Sequence, residues 1–81
     1  MFNRNAHRFA YKVSYLPSDI KIGIWDKTPV NAKSILGLLS ASIRNGMQIR
    51  IACYNENEEI AKQDLNKVIA ILEELAVEKN E

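Results

Sequence analysis

Cysteine is almost missing from this chain. Its single thiol, Cys53, excludes an internal disulfide framework and suits a reducing compartment, so a cytoplasmic setting is expected. Aromatic side chains are 7% of the residues. Trp25 and the tyrosines are scattered and form no stacking platform for bases, which argues against single-stranded nucleic acid as a ligand. No sign of charge dominates: 11 Lys and Arg stand against 10 Asp and Glu, for a net charge of +1. That balance removes the strong non-specific attraction to nucleic acid. No apolar run is long enough to span a bilayer, and the N-terminal stretch MFNRNAHRF is charged and lacks the apolar core of a secretory signal. There is no glycine-rich phosphate loop, no metal-ligand spacing and no nucleophile–base pair. Neither an enzyme activity nor a metal or cofactor is therefore expected.

Apolar residues make up 47% of the chain, enough for a core. One domain over residues 1–81 is expected, small but above the size at which disulfides or metals become obligatory. Acids gather from Glu56 onward and most bases lie before it. The basic half could offer a weakly positive face to an acidic partner, although a solvated surface explains it as well.

Hydrophobic periodicity gives the elements. Phe2, Ala6, Phe9, Ala10, Val13 and Leu16 recur at helical spacing, yet Phe9, Tyr11, Val13 and Tyr15 also alternate as a strand would, and period alone does not separate the two. Pro17 ends the segment in either case. Residues 20–25 alternate with Ile20, Ile22 and Ile24 on one face and read as a strand. Asp26, Lys27, Thr28 and Pro29 form a turn, and residues 30–32 a short returning strand. A helix is expected over 34–43, stopped by Asn45-Gly46. A third strand is expected over 47–54, from Met47 to Tyr54, with Cys53 as a structural thiol on its apolar face. Asn57 is the expected N-cap of a long amphipathic helix reaching about Val77, on the stripe Ala61, Leu65, Val68, Leu72 and Leu75. Residues 78–81 are expected to fray. This order predicts an α+β fold in two layers, helices on one face of a mainly antiparallel sheet.

Ser34 stands out because it precedes the apolar residues Ile35, Leu36, Leu38 and Leu39. A serine there caps free backbone amides, which is an ordinary structural role. The same amides and the helix dipole would also tolerate a phosphate on its hydroxyl.

The run Val30-Asn31-Ala32-Lys33-Ser34-Ile35-Leu36-Gly37-Leu38-Leu39-Ser40, followed by Ile43 and Gly46, resembles the regulatory-serine segment of the HPr family. These are the histidine-containing phosphocarrier proteins of the bacterial sugar phosphotransferase system, and the family pattern is VN-[LA]-KSIMG-[VL]-MS. The wording is close to the Crh-like subgroup that lacks the active-site histidine. Ser18-Asp19-Ile20 and the acidic start of the last helix also match, so the resemblance covers about residues 4–77 and is strongest over 18–51. It implies an HPr-like sandwich and tips residues 4–16 toward helix. Reading backward from Ser18 puts the family histidine near Phe2, its arginine at Arg4 and its proline at Asn5. The phosphocarrier histidine is thus not in place, and the family's first strand is expected to be missing, whether truly or because the start lies upstream. That would leave the 47–54 strand as an uncovered edge and invite a homodimer through it.

By resemblance, Ser34 is the target of an ATP-dependent HPr kinase/phosphorylase, and the phosphorylated form docks on a LacI-type catabolite control protein. Arg4 and Lys33 would lie near the phosphate, with Arg4 against the repressor. Ile35, Leu36 and Leu39 would form the apolar docking patch, although core packing is an alternative for each; Leu38 and Ile43 are the better core candidates. His7, the sole histidine, is an alternative phosphohistidine taking phosphate from enzyme I, flanked by Arg4 and Arg8. It falls about five residues late, and a surface histidine on a helix explains it equally. A degenerate dimerising domain with no phosphorylation role is the remaining reading.

Overall fold

The computed structural model describes residues 3–41, 43 and 47–79, and the elements run α1 (Asn3–Val13), β1 (Asp19–Ile24), β2 (Val30–Asn31), α2 (Ile35–Ala41), β3 (Ile49–Tyr54) and α3 (Glu58–Lys79). The N-terminal segment is a helix. Its buried positions Ala6, Phe9, Ala10 and Val13 follow helical spacing, and the rival strand pattern fails because Tyr11 and Tyr15 are exposed. The two tyrosines instead stack edge to face across one helical turn, with ring centroids 5.3 Å apart. Leu16 N–H closes the last turn on Val13 O at 3.0 Å, ahead of Pro17.

The sheet has the order β2-β1-β3 and is antiparallel throughout. In β1, Ile20 and Ile22 are fully buried under the helices and Asp19 and Lys21 face outward, as the alternation requires. Gly23 is buried as well, because the hairpin folds back over it: a Cβ there would lie 3.1 Å from the Pro29 Cα. The helices lie in the order α2, α1, α3 above β2, β1, β3, since α1 touches both other helices, α2 touches β2 and β1, and α3 covers β3. Phe9, Val13, Ile20, Ile22, Leu38 and Val68 fill the space between the layers. Each such side chain contributes about 1.5–3 kcal/mol on burial.

Several boundaries move. The α2 helix ends at Ala41, and Ile43 is buried but outside it. The expected stop at Asn45-Gly46 lies outside the described residues. Strand β3 begins at Ile49, so Met47 and Gln48 precede it. The last helix runs to Lys79, two residues past the expected end at Val77. Asn57 caps it: its Oδ1 accepts from Glu59 N at 2.9 Å and Ile60 N at 3.3 Å.

Candidate functional site

Three residues before α2 fold into a tight connection that places Ser34. Asn31 Oδ1 accepts from Lys33 N at 2.9 Å, and Asn31 O accepts from Ser34 N at 3.0 Å. Such an Asx turn is what asparagine supplies ahead of a helix. Ser34 Oγ then accepts from Gly37 N at 3.1 Å, and Ser34 O accepts from Leu38 N at 3.0 Å. Ser34 is therefore the N-cap, with its hydroxyl on one of the amides that the helix leaves unpaired. Gly37 makes room for it, since a Cβ there would stand 3.3 Å from the Val30 Cβ and 3.4 Å from the Ser34 Oγ. Ser34 is half-buried, with its hydroxyl at the mouth of the helix.

The three apolar candidates beside it part company. Leu36 is 80% exposed, whereas Ile35 and Leu39 are half-buried against the core. The reason is helical geometry: Leu38 takes the core position, and Leu36, two residues away, points to the opposite side. Lys33 Nζ donates to Leu16 O at 2.7 Å, so its ammonium holds the end of the α1 segment next to the serine loop. Arg4 is exposed on the first turn of α1. His7 is also exposed on α1, one turn before Tyr11. Phe2 lies outside the described residues.

A hollow of about 470 Å³ lies at the far end of α2, lined by Asp26, Lys27, Thr28 and Ser40 among others and not by Ser34. No group of three or more His, Cys, Asp or Glu among the described residues could hold a metal ion. No helix among them is long and apolar enough to cross a membrane.

The sequence reading missed Asp64. It falls inside the apolar stripe of α3 yet is 1% exposed, and its Oδ2 accepts from Ser18 N at 3.1 Å. Ser18 is fully buried, and its Oγ accepts from Asn55 Nδ2 at 3.3 Å. This polar knot ties the start of β1 to the end of β3 and to α3. Burial raises the pKa of the neighbouring Cys53 thiol, and the charge of Asp64 adds to the effect. The only available signal was Asp64 occupying a position one turn from Ala61 and Val68, where the stripe calls for an apolar residue.

The family profile described as "PTS HPr component phosphorylation site" matches residues 1–70. The chain belongs to the HPr family. Among solved structures, the fold is similar to Crh, the Bacillus subtilis catabolite repression containing protein. Identity to Crh is 28%, over 91% of this chain and 80% of that one, with a TM-score of 0.78. The phosphocarrier protein HPr from Bacillus anthracis is 32% identical over 84% of this chain and 76% of its own, with a TM-score of 0.73. An HPr dimer from Thermoanaerobacter tengcongensis is 31% identical over 83% and 76%, with a TM-score of 0.64. The Crh structure is described as a dimer with a swapped domain. No curated protein sequence matches the chain. The HPr assignment accounts for the three helices on one antiparallel sheet and makes the chain a phosphotransferase-system protein.

Proposed function

We propose that this HPr-family chain is a serine-switched regulatory protein and not a catalyst. Phosphorylated on Ser34 by an HPr kinase/phosphorylase, it docks on a LacI-type catabolite control protein. The observation that carries the reading is the pairing of the Ser34 cap with Leu36, 80% exposed and two residues away. An apolar side chain left in water beside a modifiable hydroxyl is a contact surface whose charge a kinase can change. Transfer of the γ-phosphoryl of ATP to Ser34 Oγ would release ADP and add a charge of about −1.5 to −2 at the helix N-terminus, where the dipole favours it. Leu36 leads the docking patch, with Ile35 and Leu39 supporting it from half-buried positions; Arg4 and Lys33 set the positive charge around the phosphate. The reading also includes a homodimer through residues 47–54, in keeping with the dimeric relatives.

Titration onto a LacI-type catabolite control protein tests docking. The phosphorylated protein should bind and the unphosphorylated protein should bind much more weakly. Leu36→Asp should abolish binding without changing the fold. Equal binding by both forms, or full binding by Leu36→Asp, would overturn the docking assignment.

A further inference from the structure

Leu16 closes the N-terminal helical segment with a carbonyl that the next residues leave without a donor. Pro17 carries no N–H, and the Ser18 N–H goes to Asp64 Oδ2 at 3.1 Å. The Lys33 ammonium fills the gap: its Nζ donates to Leu16 O at 2.7 Å. A cation there also faces the C-terminal end of α1, where the helix dipole favours it. Lys33 is half-buried, so part of its methylene stem is covered while its charge reaches the carbonyl. Its backbone is fixed as well, by the N–H donated to Asn31 Oδ1 at 2.9 Å. Residue 33 is thus pinned at both ends, immediately before the Ser34 hydroxyl.

The elements on either side of the serine turn are short and hold it weakly. Strand β2 has two residues, and α2 has seven, fewer than an isolated helix needs to keep its shape. The Ala32 N–H ties the turn to the sheet through Ile20 O at 2.9 Å. The bond from Lys33 ties it to the end of α1 from the other side. The turn and the cap themselves use backbone groups and the side chains of Asn31 and Ser34, so neither of them requires a lysine side chain. We propose that Lys33 is a positioning residue for Ser34. Its bond to Leu16 O holds the serine turn in one place against α1 and so presents the hydroxyl to a phosphoryl donor. What that position serves rests on the Ser34 reading above, whereas the tether is independent of it. Lys33 thereby acts in the unmodified protein, before any phosphate is present to attract its ammonium. Placement matters because a displacement of about 1 Å at a reacting group can cost about 100-fold in rate.

Two variants test the proposal. Lys33→Met keeps the stem and removes the charged donor, and Lys33→Arg keeps a cation that can donate to the same carbonyl. Backbone 15N relaxation of the unmodified proteins reads the tether, and steady-state phosphorylation by ATP and an HPr kinase/phosphorylase reads its consequence, both at a temperature where circular dichroism shows every variant folded. In Lys33→Met the order parameters of Ser34 and Gly37 should fall from the rigid value of about 0.85 toward the flexible value of about 0.6, with Val68 in α3 unchanged. Its kcat/KM for phosphorylation should fall by about tenfold, and Lys33→Arg should restore both readouts toward wild type. Unchanged order parameters at Ser34 and Gly37 in Lys33→Met would overturn the tether, and a fall in kcat/KM alone would then show a kinase reading the charge directly. Lower order parameters with an unchanged kcat/KM would overturn the positioning role. No phosphate on the wild-type chain would overturn the Ser34 reading and the role in presenting it, while the order parameters still decide the tether.

Discussion

Replacing Asp64 with alanine should cost more stability than its chemistry as a helix surface acid would suggest. The carboxylate is 1% exposed and accepts the Ser18 N–H at 3.1 Å, inside a core that water does not reach. Deletion leaves a fully buried backbone donor without its partner, a loss of about 1–3 kcal/mol. The small cavity left by the side chain adds to it. A total near 2 kcal/mol is expected. In a domain of this length that is a fall in Tm of roughly 8–16 °C. Asp64→Asn keeps an acceptor at the same place and should recover at least half of the loss. Urea and thermal unfolding followed by circular dichroism measure both variants. Asp64→Ala within about 0.5 kcal/mol of wild type would refute the reasoning, since that is the range of ordinary surface substitutions. Asparagine being no better than alanine would refute the hydrogen-bond account specifically.

Other outcomes follow from the same structure. Leu38→Ala should lose about 2–5 kcal/mol in urea unfolding, whereas Leu36→Ala, with its side chain in water, should change stability by less than about 0.5 kcal/mol. Gly23→Ala sets a Cβ 3.1 Å from the Pro29 backbone and should cost about 1–3 kcal/mol, read from the unfolding midpoint. The Cys53 thiol should react with a disulfide reagent with a pH midpoint above that of the unfolded chain, because burial first and Asp64 second raise its pKa. The unfolded chain ionises before the folded one, so this group's contribution to stability is present at neutral pH and is lost as pH rises past the unfolded thiol's pKa. A reactivity midpoint at or below that of the unfolded chain would contradict it.

Much of the fold was legible because periodicity is a direct consequence of burial. Ile20 and Ile22 alternate because one face of β1 is roofed by helices, and Asn57 is visible as a cap because a helix with two acids in its first turn follows it. Residues 3–13 were ambiguous from period alone; what decided them was the burial of Ala6 and Ala10 beside Phe9 and Val13, a contact with other elements that no local pattern contains. Ser34 as a cap could be read from its neighbours. The separation of Leu36 from Ile35 and Leu39 could not, because it depends on the rotation of α2 against β2 and α1. Asp64 was hidden for the opposite reason: its environment is built by Ser18 and Asn55, which lie far from it in sequence.

The central claim is the Ser34 switch, and intact mass after incubation with ATP and an HPr kinase/phosphorylase tests it most directly. The account predicts one added phosphate on the wild-type chain and none on Ser34→Ala. No phosphate on wild type, or a phosphate that survives Ser34→Ala, would contradict it.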